Sequence, residues 1–367
     1  GAAFAGDESV ASNYTMAVWA SEKGMPGDVF TLAQDLEGYL WLGGPTGLLR
    51  FDGNHFTPWE PADPASRLPS GPVHAIVGSH DGSIWVGFGG GGGIVRIHRG
   101  QMVRYPPSDG APPGVAAMIQ DRQGVIWVAS RRGLFRFLNG RWTALGTADG
   151  LSGAEAFSLY EDRAGRLWTG TASGVYQRKK DTFELVDATE TNVQSLVEDA
   201  SGAIWVTDSQ EVIKRLSTHS APQHDRKIRL PTGAWRLMRD GHGQIWAAAF
   251  GGGLMRVRNP LDQSAIIERV EYEHRLAGSP RSLYEDREGN IWVGMRGGLL
   301  RLSESAFSSV SQLEGLTNEG VRTATVDSDG NVWVATGHGL NKFSSTGRTS
   351  YSVSQTMALH SDRRGTL

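Results

Sequence analysis

One sentence is written eight times along this chain. Residues 285–302, EDREGNIWVGMRGGLLRL, give its form: an acidic turn with Gly, an apolar run centred on Trp, a Gly-rich loop, and a second apolar run ending in Arg. The Trp recurs at Trp41, Trp85, Trp127, Trp168, Trp205, Trp246, Trp292 and Trp333, with gaps of 37 to 46 residues and a Gly three positions before each. A unit of this length cannot bury its own apolar faces and must stack on copies of itself, and a period near 40–45 is that of a propeller blade. The repeat also overrides the division into two or more domains that a length of 367 residues would otherwise suggest.

Each unit reads as four strands. Strand a is a run such as 29–34 or 193–198, closed by a D-x-x-G turn in which Gly supplies the positive φ of a tight hairpin. Strand b carries the Trp (40–43, 126–129), a Gly-rich loop leads to strand c (47–51, 133–137), and a polar turn leads to strand d (55–59, 141–145). Strands a and b are continuously apolar, as strands buried on both faces are. The expected fold is therefore all-β, a β-propeller of four-stranded blades. Repeats one to seven occupy 14–310, and 311–367 hold the eighth and the opening of a ninth (356–367, TMALHSDRRGTL). Seven blades followed by the start of a second propeller, or one eight-bladed ring, both fit that count. The strand-like 14–19 precedes the first strand a and is in position to supply strand d to the closing blade. Residues 1–13 read as a tail, in which Ala3-Phe4-Ala5 matches either the end of a signal-peptide cleavage site or a tag remnant beginning at Gly1.

Near-identical columns read as structural. The Trp is a large apolar plug between sheets with one N–H to satisfy. Two residues after it the chain is always small: Gly43, Gly87, Ala129, Gly170, Thr207, Ala248, Gly294, Ala335. Strand c carries Arg50, Arg96, Arg136, Lys214, Arg256, Arg301 or Lys342, with Gln177 the exception, and the a–b turn carries Asp except at Ser79. Turn capping and cation–carboxylate pairing account for both.

Composition removes several functions. A formal net charge of −3 gives no basic field for nucleic acid or an anionic membrane. No run approaches 18 apolar residues, and the absence of Cys leaves no disulfide or thiolate chemistry. Residues 87–93, GFGGGGG, resemble a phosphate loop, but the next residues read as strand c where such a loop needs a helix. Residues 327–331, DSDGN, lack the Glu that a calcium loop places at its twelfth position. The ten His show no metal spacing and no G-x-S-x-G elbow is present, so no catalytic residue, metal or cofactor is expected.

The informative positions are those where the repeat stops repeating. The second residue of strand a is Phe30, His74, Ala116, Phe157, Gln194, Trp235, Arg281 and Arg322 in successive units. Arg236 stands beside Trp235, and the b–c loops add Arg131, Arg132, Asp208, Phe250, Arg296 and His338. In a propeller the d–a and b–c loops share one face, so these aromatic and cationic residues are candidates for a ligand surface. Aromatic faces and planar cations suit sugar rings and carboxylates.

The pattern D-x-x-G-x-[IL]-W-[IV]-G-x-x-x-G-[IL]-x-R, opened by W-x-x-x-x-G-[LM]-P at 19–26, resembles the two-component-regulator propeller repeat from about residue 14 onward in all eight units. Local departures are Glu211 for the strand-c Gly of unit five and Tyr176-Gln177 for the usual Leu-x-Arg of unit four. The resemblance implies the periplasmic sensor region of a bacterial hybrid two-component receptor. It implies seven blades for this propeller, no catalysis in this segment, an oligosaccharide or similar polar ligand, a second propeller and a homodimer partner. It further implies a histidine kinase or other output domain and a membrane helix beyond these residues. A protein-interaction scaffold without a small ligand is the alternative, and a propeller lyase or hydrolase stands third. A channel lined by Thr31, Ala75, Ala117, Ser158 and Ser195 argues against that third reading.

Overall fold

The computed structural model describes residues 14–353 and 358–359, apart from 21–24, 26, 64–65, 154, 208–211, 217–225, 250, 252, 261–264, 273–275, 277, 306–315, 319 and 345–346. It is all-β: eight four-stranded antiparallel sheets, with helix among the described residues confined to the one-turn segments Pro107–Asp109 and Thr147–Asp149. The chain forms two compact units. The larger spans 15–304 and contains seven blades.

Blade four shows how a blade is made. Ala156–Glu161, Leu167–Thr171, Gly174–Lys179 and Thr182–Asp187 pair in sequence order as strands a to d. The a–b turn is closed by Gly165 N–H to the Asp162 carbonyl, 2.9 Å, and Gly165 takes φ +75°, open to Gly at no steric cost. Asp162 then works with both oxygens. Its Oδ1 accepts from the N–H groups of Ala164 and Arg166 at 3.0 and 2.8 Å, and its Oδ2 accepts from the Trp168 indole at 2.8 Å. The same indole–carboxylate bond joins Asp35 to Trp41, Asp121 to Trp127, Asp199 to Trp205, Asp240 to Trp246 and Asp286 to Trp292, all at 2.6–2.8 Å. Turn capping is thus half of what the Asp column does; the other half is to satisfy the buried Trp. Trp168, Trp205 and Trp246 are fully buried, and an aromatic plug of 150–250 Å² at ~25 cal/mol per Å² stabilises by roughly 4–6 kcal/mol.

Blade two, where Ser79 replaces Asp, moves the acid two residues on. Asp81 pairs with Arg96 at 2.7 Å. Burial raises its pKa, but hydrogen bonds from Ser83 and Ser79 and the Arg96 charge outweigh that and hold it at about 2. The strand-c cation stands across from the Trp and over its ring, as Arg96 does over Trp85, Arg256 over Trp246 and Arg301 over Trp292, at 5.5–5.7 Å. In blade five the residue paired with Trp205 is Arg215, and this corrects the assignment of Lys214 to that column. Lys214 instead pairs with Asp187 at 2.9 Å and Glu190 at 3.1 Å on the chain leaving blade four.

The seams between blades explain the small-residue column. A Cβ on Gly43 would lie 2.3 Å from Val73, one on Gly87 2.6 Å from Val115, one on Gly170 2.6 Å from Val193, and one on Gly294 2.7 Å from Val29. Val73 and Val115 open strand a of the next blade, and Val193 and Val29 lie two residues before theirs. Where the column holds Ala129, Thr207 or Ala248, the next blade opens with Ala156, Ala234 or Pro280. Size on one side is matched by its lack on the other.

Each seam also carries a side chain that accepts a backbone N–H across it. The last residue of strand a serves in five: Gln120 from His80, Glu161 from Arg122, Glu198 from Arg163, Glu285 from Gly241 and Gln34 from Arg287, at 2.8–3.1 Å. Blades two and six end strand a with Gly78 and Arg239, which cannot accept. In those two seams a channel hydroxyl takes over, Thr31 from Ile76 at 3.3 Å and Ser195 from Leu237 at 2.9 Å.

The ring closes between blades seven and one. Val29 N–H donates to the Met295 carbonyl at 3.0 Å, and the Arg287 guanidinium donates to the carbonyls of Asp35 and Leu36. Tyr14–Ala20 is strand d of blade seven, beside Gly298–Glu304, and Trp19 stacks on Trp292 at 5.5 Å. A chain-terminal strand so placed ties the first and last blades of the larger unit.

The smaller unit contains the eighth blade, Val321–Val326, Val332–Thr336, Gly339–Ser344 and Gly347–Tyr351. It repeats the internal chemistry: the Trp333 indole donates to Asp327 at 2.7 Å, Tyr351 stacks on Trp333, and Lys342 lies over the ring. The indole bond first, with Asn331 next, holds the Asp327 carboxyl at about 2.

Candidate functional site

A backbone irregularity places the variable column. In blades two, three, four, six and seven the a–b ladder shifts register across one residue, and that residue is His74, Ala116, Phe157, Trp235 or Arg281. A bulge leaves its residue unpaired and turns its side chain away from the pleat. In blades one and five the equivalent residue sits just before the strand: Phe30 N–H donates to Gly43 at 2.7 Å and Gln194 N–H to Thr207 at 2.8 Å. Seven blades thereby deliver seven side chains of six kinds to one end of the ring.

Those side chains line a single cavity of about 750 Å³, inside the usual range for small-molecule sites. Its wall includes Phe30 just before strand a of blade one, His74, Phe157, Trp235, Arg236 and Arg281 from strand a of other blades, and Arg131 and Arg132 from the b–c loop of blade three. Phe30 and His74 meet edge to face at 5.6 Å, and the Arg281 guanidinium lies 5.5 Å from the Trp235 ring centre. Arg236 donates to the Gln194 carbonyl at 2.9 Å, which fixes its planar group at the base of the cavity. Gly89 backs His74: a Cβ there would lie 3.0 Å from the imidazole.

The electrostatics are one-sided. Among the described residues, four guanidiniums and one imidazole line the cavity against one carboxylate, Glu155. Burial pulls the Arg236 guanidinium below its ordinary pKa. Burial also lowers His74, and the neighbouring Arg131 and Arg236 charges lower it further against a hydrogen bond with the Val115 backbone.

Phe30, His74, Ala116, Gln194 and Arg236 also border a second cavity of about 550 Å³, the central channel. They form the neck between the two. The channel wall includes Thr31, Ala75, Ala117, Ser158, Ser195 and Ser282. Thr31 and Ser195 are engaged in the seams, and Ser158 donates to the Val193 carbonyl at 2.8 Å.

Of the residues singled out from sequence, Phe30, His74, Arg131, Arg132, Phe157, Trp235, Arg236 and Arg281 meet in this cavity. Arg296 is not on its wall; it follows strand b of blade seven, and its N–H donates to the Ser279 carbonyl at 2.9 Å. Arg322 and His338 lie in the smaller unit, where Arg322 again occupies a bulge. Asp208 and Phe250 lie outside the described residues. Sequence reasoning passed over Glu155 and the glycines. Gly89–Gly91 of GFGGGGG form part of the wall, and Ile94–His98 is strand c as expected. No column signals Glu155, which lies on the d–a loop two residues before Phe157.

The family pattern described as two component regulator propeller matches residues 150–173, 276–297 and 315–338. No curated protein matches the sequence. Among solved structures, the extracellular domain of BT3049 from B. thetaiotaomicron, ascribed to a hybrid two component system, superposes with a TM-score of 0.73 at 19% identity, over 96% of this chain and 51% of that one. The extracellular domain of BT4673 from the same organism, ascribed to a one component system, gives 0.62 at 18% identity over 96% and 50%. Virginiamycin B lyase of Staphylococcus aureus, solved as an inactive variant with quinupristin, gives 0.61 at 14% identity over 80% and 100%. At these identities the likeness is one of fold. The chain spans about half the length of the first two.

Proposed function

We propose that this chain, a two-component-regulator propeller by its repeats, is an extracytoplasmic ligand-sensing domain of a bacterial signal-transduction receptor and performs no chemistry itself. The observation that carries the reading is the cavity at the bulged end of the ring. A repeat that is uniform wherever blades pack becomes diverse at the seven positions facing one space. Aromatic walls with planar donors suit an oligosaccharide or a similar polar small molecule. Ligand in that space would touch loops from most blades at once, and so would bias how the ring packs against a second propeller or a homodimer partner. The output would pass to a histidine kinase or comparable domain, across a membrane spanned by a segment outside this sequence. The channel hydroxyls support a non-catalytic reading. Thr31, Ser158 and Ser195 are bonded to backbone.

The test is thermal unfolding of the chain against a panel of plant, host and bacterial oligosaccharides. A true ligand at ~100 times its dissociation constant adds about 2.7 kcal/mol. Trp235→Ala should abolish the shift while the variant remains folded. A shift that survives this change would place binding elsewhere, and no shift with any sugar would favour a protein-interaction scaffold.

A further inference from the structure

The cavity has a charge to be answered. Arg131, Arg132, Arg236 and Arg281 face it with Glu155 as the one opposing carboxylate among the described residues. Isolated cations gathered in a partly desolvated space repel one another and lose hydration, and an anion placed among them recovers both losses. Two details say where that anion belongs. Arg236 is held at the neck by the Gln194 carbonyl through Nη1 alone among its planar donors. The Arg281 Nε is buried with no hydrogen-bond partner among the described residues, although its guanidinium is held against Trp235. Fixed planar donors match an oxyanion by paired hydrogen bonds, which a neutral hydroxyl cannot return with equal strength.

We propose that the cavity takes an acidic saccharide, its carboxylate or sulfate seated against Arg236 at the neck with Arg131 and Arg281 on the same cavity wall, and its ring against Phe157 and Trp235. The inference rests on the sensor reading above and narrows it from polar sugars to charged ones. His74 lies beside Arg131 and Arg236, where an anion would favour its protonated form. A sugar ring needs mixed walls, C–H faces on aromatic carbon and hydroxyls on donors, and this cavity supplies both. Among the described residues it offers no helix N-terminus, where a phosphate chain is ordinarily cradled.

The experiment is titration calorimetry on the full chain with three sets of oligosaccharides of equal length: uronate oligomers, sulfated disaccharides and their neutral counterparts. The expected result is binding of at least one acidic set tenfold or more tighter than the neutral one, weakening severalfold between 50 and 300 mM NaCl. The uronate and sulfate arms decide which oxyanion the site was built for. Arg131→Gln, an exposed change that leaves the fold in place, should cost tenfold in the acidic ligand and little in a neutral one. Arg236→Lys should lose affinity while near-ultraviolet circular dichroism stays native. Neutral sugars binding as tightly as acidic ones would overturn this proposal and leave the sensor reading standing. If neither acidic nor neutral sugars bind the folded chain, both fall together.

Discussion

The two ends of the ring obey opposite rules. At the end of the a–b turns the same bonds recur: Asp caps the turn and holds the Trp in every blade but the second, and in five of the seven seams a strand-end side chain accepts an N–H from the neighbouring blade. At the other end the ladders bulge and no two neighbouring blades present the same residue. Uniformity is what packing demands of a repeat, since each blade must fit the next one. Diversity is permitted only where a side chain answers to a space instead of a neighbouring sheet. The contrast therefore separates what holds the ring from what the ring holds.

The largest effect is expected at the turn end. Asp199 is fully buried and accepts from the N–H groups of Ser201 and Ala203 and from the Trp205 indole. Asp199→Ala leaves all three unsatisfied and should cost about 4 kcal/mol in urea unfolding. Trp235→Ala at the cavity end, a larger truncation, should cost about 1 kcal/mol or less in stability and remove binding instead. Equal losses for the two would erase the distinction between the ends.

Next comes the seam. Gly87→Ala drives a methyl into Val115, with contacts of 2.6–3.1 Å, and should cost about 2 kcal/mol. Adding Val115→Ala should recover most of that, a coupling that simple additivity would contradict. A smaller change sharpens the seam rule in the stabilising direction. Arg239 ends strand a of blade six where five of the seven blades place an acceptor, and its Nε is buried without a hydrogen-bond partner among the described residues. Arg239→Gln supplies the acceptor to the blade-five turn and should gain about 0.5 kcal/mol.

The smallest effect is a pH dependence at the cavity. His74 has its pKa below 6.5 in the fold, so the native state binds fewer protons there than the unfolded chain. Its contribution to stability is therefore lost as pH falls through 6.5 toward the lowered value. The charged groups around it are Arg131 and Arg236, with Glu155 on the same wall. An anionic ligand reverses the sign by favouring the imidazolium, so affinity should rise over the same interval. His74→Gln should flatten both slopes in paired urea and binding measurements at pH 7.5 and 5.5.

Much of this was legible in the sequence, and for a physical reason. A bond that recurs in every blade leaves a column, so the Trp, the turn Asp and the small residue after the Trp announced the fold. The reason for the small residue was less visible, because Gly43 and Val73 belong to different repeats and only the seam brings them together. The division of the seam lock between strand-end acceptors and the hydroxyls of Thr31 and Ser195 was hidden for the same cause. At the cavity, the variable column was readable because departures from a repeat stand out. Glu155 was not, since a loop of irregular length has no column to depart from. The bulges left no mark, because a register shift is a backbone event.

The measurement that tests the account most directly is hydrogen–deuterium exchange of the chain with and without a saturating oligosaccharide found in the thermal panel. The predicted result is slower exchange in the d–a and b–c loops that carry Phe30, His74, Arg131, Phe157 and Trp235, with the a–b turns around Asp162 and Asp199 unchanged. Protection centred on those turns or on the outer strands d, with the loops unaffected, would contradict it.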